Sequence, residues 1–277
     1  MTLSPNPLAL VDYHIHSNLS VDADDPAEAL ARAAVRIGLK EIGISEHLDT
    51  DPQDVGYGHY NEEEASQALA RAAKAANGQL TLRKGVEVCY QPVLHQAAGD
   101  LVARCRQVDY VIGSVHFLNR QYPPPAAFEG ESRHETYRRY IGDCLRAVES
   151  GFFDILGHFE YLRRHDGQDG FSYNPECYAD EVETLLRALI AQEMVLELNT
   201  GGLRRPGNHT YPCRWTLTRY RELGGEAVSV GSDAHRAAEV GAGIGCAFAL
   251  LQEVGFRYVV TFKNRRRRWV NLDRFMR

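Results

Sequence analysis

The sequence predicts an α/β protein whose parallel strands close into a barrel, with its working face at the C-terminal ends of the strands. Short apolar, β-branched runs alternate with longer Ala-, Leu- and Arg-rich stretches, at intervals of roughly 25 to 45 residues. Most of these runs are nearly continuous in apolar character, which suits strands covered on both faces of a parallel sheet. No linker, low-complexity tract or change of composition divides the 277 residues, so one domain over 1–277 is expected.

In chain order the expected strands are 8–14 (LALVDYH), 40–46 (KEIGISE), 82–88 (LRKGVEV), 109–115 (DYVIGSV), 153–158 (FDILGH), 194–200 (MVLELNT), 227–233 (AVSVGSD) and 258–262 (YVVTF). The first helix is expected over 26–38, with Asp25 as N-cap, Pro26 at N1 and Gly38 as the stop. Further amphipathic helices are expected over 62–77, 134–150 and 175–192. Two connections, 117–133 (with Pro123, Pro124 and Pro125) and 163–174, are too long for simple turns. Both follow strand ends, where barrel enzymes build their sites.

Hydrophobic residues make up 44% of the chain and charged residues 25%, which excludes wholesale disorder. With 31 Lys and Arg against 37 Asp and Glu, the formal charge is −6. That balance argues against a nucleic-acid or anionic-membrane binder. No apolar run approaches the roughly 18 to 20 residues of a membrane span, and the opening residues lack the basic segment of a secretion signal. Six scattered cysteines without a C-x-x-C pair read as reduced thiols, so a cytoplasmic location is expected.

Histidine placement carries the functional signal. The first strand ends D-Y-H-I-H, so His14 and His16 point to one side. The second runs into His47, the third carries Glu87 in an apolar context, the fourth ends at His116 and the fifth at His158. The seventh ends at Asp233 and His235, and Asp22 follows His16 in the loop toward the first helix. A lone strand-end histidine is most often a hydrogen-bonded structural residue, and H-x-H alone is a weak motif. Here every histidine in the strand segments sits at a C-terminal end, and a barrel would bring them to one mouth. Without metal, six imidazoles and two carboxylates crowded together are costly. With metal they are ligands for Zn²⁺, Mn²⁺ or Fe²⁺, and their number suits two or three ions. The other histidines (His59, His95, His134, His165, His209) fall in loops or helices, with His165 and His209 as candidate substrate contacts.

These residues together resemble the PHP (polymerase and histidinol phosphatase) superfamily. Its order of H-x-H, E/D-H, Glu, His, G-H and D-x-H runs along the whole chain. Within it G-S-V-H-F (113–117), L-E-L-N-T-G-G-L-R (196–204) and G-S-D-A-H (231–235) resemble the histidinol-phosphatase branch. The resemblance implies a distorted (β/α)7 TIM-like barrel, one strand fewer than the eight candidates, with YVVTF as an extra closing strand. It also implies three divalent ions: one on His14, His16, Glu87 and Asp233, a second on Glu87, His116 and His158, and a third on Asp22, His47 and His235.

The expected activity is a metal-dependent phosphomonoesterase. Its substrate is a small phosphate monoester, L-histidinol phosphate in histidine biosynthesis, attacked by a metal-bridging hydroxide. Asp233 and His235 are the candidates to assist the leaving group. Arginine suits bidentate phosphate contact; the candidates are Arg163, Arg164, Arg204 and Arg205, of which the resemblance favours Arg163 and Arg204, with Asn199 as a further substrate contact. The alternative is a PHP-type phosphodiesterase or exonuclease on nucleotides, which the acidic balance disfavours. An amidohydrolase or an inactive PHP module fits the complete ligand set less well. No G-x-S-x-G elbow or phosphate-binding P-loop is present. The run Arg265 to Arg268 reads as a solvated tail with one or two ion pairs. Oligomeric state is not legible.

Overall fold

Seven parallel strands form one sheet in chain order: β1 (Val11–Asp12), β2 (Glu41–Asp49), β3 (Thr81–Cys89), β4 (Tyr110–Ser114), β5 (Ile155–Leu156), β6 (Val195–Asn199) and β7 (Val228–Gly231). The computed structural model describes residues 10–123, 128, 130–167 and 170–272; Leu8, Ala9, Pro124 and Pro125, named above within a strand and a loop, lie outside these. The longest ladder joins β2 and β3, from Glu41 opposite Thr81 to Asp49 opposite Cys89. The outer strands then meet: the Tyr13 N–H donates to the Val230 carbonyl at 2.9 Å, and those of His16 and Asp233 to the Ala234 and His14 carbonyls at 2.8 Å. The result is a nearly closed TIM-like barrel of seven strands, as the resemblance implied.

Helices α1 (Ala27–Ile37), α2 (Glu62–Ala76), α3 (His95–Arg104), α4 (Arg133–Glu149), α5 (Ala179–Ala191), α6 (Arg214–Glu222) and α7 (Ile244–Val254) cover the outside. Alanines set the spacing of the first two: Ala31 and Ala34 of α1 share one buried cluster with Ala68 and Ala72 of α2 and with Ile42 of β2. Gly38 ends α1 in the left-handed region at φ 85°, as its position suggested. The start of α1 differs from expectation. Pro26 itself takes the N-cap position, while the Asp25 carboxylate accepts the Ala237 N–H at 2.7 Å and ties this loop to the segment after β7. The periodicity argument missed α3, α6 and α7; α3 contains Gly99, which lies against the Phe152 ring, and α7 is too apolar to show a clear stripe.

Two further expectations change. YVVTF is not a closing strand. It forms β8 (Tyr258–Lys263), antiparallel to β9 (Arg266–Asn271) in a separate hairpin. The hairpin lies at the N-terminal end of the barrel: the Arg265 and Asn264 N–H groups bond Asp109, just before β4. The basic run is therefore a turn and strand, not a tail. Arg265 pairs with Asp154, Arg267 with Glu193 at 2.7 Å and Arg268 with Glu41 at 3.8 Å. Phe262 from β8 meets Tyr13 and Tyr110 at ring distances of 6.5 and 6.1 Å. Gly43 and Gly85 make room for that floor, since a Cβ at Gly43 would stand 2.0 Å from the Tyr110 hydroxyl oxygen. Second, one stretch, Ala237–Val254, is long and apolar enough by length and composition to cross a membrane. It consists of a short 3₁₀ turn and α7, parted by Gly241 and Gly243 at positive φ.

Candidate metal centre

The parallel arrangement delivers the strand-end residues to one place. His14 and His16 leave β1; His47 and Glu87 sit directly opposite one another on β2 and β3; His116, His158, Asp233 and His235 follow β4, β5 and β7. Buried carboxylates fix the backbone around them. Asp12 accepts the Ser232 and Gly241 N–H groups at 2.8 and 2.9 Å, tying β1 to the end of β7. Glu46 accepts the Ser17 and Ser20 hydroxyls at 2.5 and 2.6 Å, and the Ser20 oxygen accepts the His47 N–H at 3.0 Å.

The side-chain atoms converge on Glu87, which is 1% exposed. Its Oε2 lies 3.3 Å from His14 Nε2, 3.5 Å from His16 Nε2 and 3.1 Å from His47 Nδ1. Its Oε1 lies 2.8 Å from His158 Nε2 and 3.5 Å from His116 Nε2. Asp233 Oδ1 stands 3.8 and 3.6 Å from the Nε2 atoms of His14 and His16. Asp22 bridges His47 and His235, at 3.4 and 3.3 Å. All nine residues expected as ligands are thus brought together.

Three features fit this set to cations. Ligands bonded tetrahedrally to one ion at ~2.0–2.1 Å stand about 3.3–3.4 Å apart, close to the spacing among His14, His16, Glu87 and Asp233. The Nε2 atoms of His14 and His16 are buried without a hydrogen-bond partner, a costly arrangement unless a Lewis acid takes the lone pairs. Among the described residues three groups have ligand atoms within 4.8 Å of one another: His16, His47 and His235; His14, His16 and Asp233; His14, Glu87 and His158. The second lies inside an expected ligand set. The other two cut across the sets, because His14 and His16 stand at the centre of the cluster.

The electrostatics reflect the crowding of imidazoles and carboxylates in the absence of a cation. Burial pushes the His16 imidazole down to about 3, with His47 and His235 adding repulsion, so it is neutral and free to ligate. Burial opposes charge on His14 as well, but Glu197, Glu87 and Asp233 hold its imidazole well above the ordinary value. Burial likewise opposes ionisation of Glu87 and Asp233, yet His14 first, then further imidazoles, hold both well below the carboxylate range.

A cavity of about 450 Å³ opens above the cluster, within the range of small-molecule sites. Asp22, His47, Glu87, His116, His158, Asp233 and His235 line it, with Arg164, Arg205, Tyr122, Tyr161, Asp49 and Asp54 among its other walls. The two long loops contribute Tyr122 and Arg164. Of the four candidate arginines, Arg164 and Arg205 line this cavity, and Arg204 lines an adjoining pocket with Arg205, Asp22, Asp233 and His235. Arg163 does not line this cavity: its Nη1 donates to Glu160 at 3.0 Å and to the Thr210 carbonyl at 3.4 Å. Arg164 instead stacks over Tyr161 at 4.7 Å. Arg204 donates to the Ser232 and Asp233 carbonyls, both at 2.8 Å, and so braces the turn that presents Asp233. That turn needs bracing, since Asp233 sits at φ 57°. Arg164 and Arg205 have no carboxylate partner among the described residues. Asn199 is buried and does not line the cavity; it donates to Glu197 at 3.2 Å and accepts the Gly201 N–H at 2.8 Å. His165 is buried beside Tyr122, and His209 packs on Tyr211 in a separate surface pocket.

Sequence reasoning missed Glu197. Its Oε1 lies 2.7 Å from His14 Nδ1, and its Oε2 accepts the His158 N–H at 2.6 Å. The signal was present in β6, where a carboxylate interrupts an otherwise apolar strand.

Residues 12–201 match the model of the PHP domain, well over half the chain. The chain belongs to the PHP family. Among curated relatives, the probable histidinol-phosphatase of Deinococcus radiodurans is 29% identical, over 93% of this chain and 98% of its own. That of Thermotoga maritima is 26% identical, over 90% and 94%. Among solved structures, the histidinol phosphate phosphatase of Lactococcus lactis, complexed with zinc, L-histidinol and phosphate, superposes with a TM-score of 0.83. It is 23% identical, over 94% of this chain and 99% of its own, and shares the same fold.

Proposed function

We propose that this protein is a metal-dependent phosphomonoesterase that hydrolyses L-histidinol phosphate to L-histidinol and phosphate, as one working unit over its whole length. One observation carries the reading: two arginines without carboxylate partners among the described residues share a single cavity with seven of the nine expected metal-ligand side chains, and the other two, His14 and His16, stand beneath it against Glu87. The names of the relatives, and the ligands of the Lactococcus lactis structure, support the substrate and the use of divalent metal. We further propose three ions, of zinc, manganese or iron, on the sets His14–His16–Glu87–Asp233, Glu87–His116–His158 and Asp22–His47–His235.

Ions held there would supply Lewis-acid polarisation of the phosphoryl group and a water of lowered pKa. The chain's own groups do the rest. Glu197 holds His14 Nδ1 and so leaves Nε2 free to ligate, while Arg204 fixes the Asp233 turn. Arg164 and Arg205 bind the non-bridging phosphate oxygens, and their charge grows in value as negative charge accumulates in the transition state. Tyr161, stacked beneath Arg164, keeps that guanidinium planar to the cavity wall. Asp233 and His235 line the cavity with Arg205, which makes them the candidates to assist the leaving ester oxygen. Phosphate release from L-histidinol phosphate, a simple monoester and a dinucleotide tests the reading. Turnover of the dinucleotide alone would transfer it to the diesterase alternative.

A further inference from the structure

We propose that Asp49, backed by Asp54, forms a subsite for a cationic amine, so that this cavity selects phosphate monoesters carrying an ammonium group. The proposal rests on the phosphomonoesterase reading and names what recognises the other end of the substrate. Asp49 is the last residue of β2, two positions beyond His47. Side chains at i and i+2 share a face of a strand, so Asp49 points to the same mouth as His47, one step nearer solvent. It lines the cavity and yet is only 9% exposed.

Its carboxylate has no hydrogen-bond or ion-pair partner among the described residues. Its neighbours differ. Asp51 is held bidentately by Arg120, at 2.6 and 2.8 Å, and Asp54 accepts the Gly56 N–H at 2.9 Å. The three proposed ligand carboxylates, Asp22, Glu87 and Asp233, each lie within 4 Å of an imidazole. A buried carboxylate left without a donor is costly, and the open side of Asp49 is the cavity. The loop after β2 packs closely against it, since a Cβ at Gly56 would lie 2.0 Å from Asp49 Oδ2.

The strand order sets the polarity of the mouth. Asp49 ends β2, whereas Arg164 and Arg205 follow β5 and β6, about half the barrel away. Among the described residues, one cavity thus offers two guanidiniums without a carboxylate partner on one side and two carboxylates without a cation on the other. A phosphate at one end of a short chain and an ammonium at the other satisfies both. Charge-assisted hydrogen bonds of this kind discriminate by roughly 10- to 100-fold.

The test compares 2-aminoethyl phosphate with propyl phosphate, which replaces the ammonium by a methyl group. The ratio of their kcat/KM values is measured for the metal-loaded parent, Asp49→Asn and Asp49→Glu. We expect the parent to favour the amine ester, Asn to reduce the ratio roughly 10- to 100-fold, and Glu to restore part of it. Gly56→Ala, which forces the Asp49 carboxylate aside without removing it, lowers the same ratio and serves if Asp49→Asn does not fold. A parent without preference, or an unchanged ratio in Asp49→Asn and Gly56→Ala, overturns the subsite. L-histidinol phosphate separates the two claims. No turnover of it with an Asp49-dependent ratio overturns the functional reading alone, while turnover with an unchanged ratio overturns the subsite alone.

Discussion

Glu197 Oε1 stands 2.7 Å from His14 Nδ1 with both side chains buried, so the ring that faces the metal cluster through Nε2 is oriented from the opposite side by a carboxylate. Such outer partners fix the tautomer of a ligand and raise its basicity, and losing one typically costs 10- to 100-fold in metal affinity. Glu197→Gln is expected to weaken metal retention by about that factor. Dialysis against buffered free zinc, followed by metal analysis, reads the effect; parental retention would remove Glu197 from this role.

Gly231 is where β7 passes this pair. A Cβ there would lie 2.4 Å from both Glu197 Oε1 and His14 Cβ. Gly231→Ala is expected to cost about 1–3 kcal/mol by overpacking and to lower metal content with it. Denaturant unfolding and metal analysis of one preparation check both, and a stable variant with full metal would contradict the packing described.

The adjacent arginines separate cleanly. Arg164→Ala or Arg205→Ala should raise KM or lower kcat with metal content intact, because each lines the cavity without a carboxylate partner among the described residues. Arg163→Ala should instead act on folding. Its partner Glu160 is 1% exposed, and removing one member of a buried pair costs about 3–5 kcal/mol. Steady-state kinetics and urea unfolding of the three variants decide the assignment; a stable Arg163→Ala with a large KM defect would reverse it.

Chelation should destabilise the fold as well as silence it. Ligand binding to the native state adds RT ln(1 + [L]/Kd), about 4 kcal/mol at a thousandfold excess over Kd. The chelated protein is expected to unfold at lower denaturant concentration and to recover on return of metal. Identical unfolding curves with and without metal would show that the imidazole cluster does not bind it.

Much of the site was legible because ligand residues sit where strand periodicity runs out. His14, His16, His47, His116 and His158 each end an apolar run, and parallel topology does the rest. Glu197 was hidden by the opposite circumstance, a single carboxylate inside an apolar strand with no neighbouring motif. The choice between Arg163 and Arg164 was beyond spacing arguments. Both lie in one 3₁₀ turn, and which one faces the cavity depends on Glu160, which claims Arg163. In the fold, YVVTF had every property of a strand, but nothing local shows whether a strand pairs in the barrel or with the next segment. Antiparallel pairing with an arginine-rich partner was masked by its charge, which is balanced by Asp154, Glu193 and Glu41 at the starts of three distant strands.

The central claim is that strand-end imidazoles and carboxylates hold divalent metal for phosphate-ester hydrolysis. Metal content and phosphate release from L-histidinol phosphate, measured on one purified sample before and after chelation and reconstitution, test it most directly. The account predicts two or more equivalents of divalent metal, activity lost on chelation and regained with metal. Full activity in metal-free protein, or no bound metal at saturation, would contradict it.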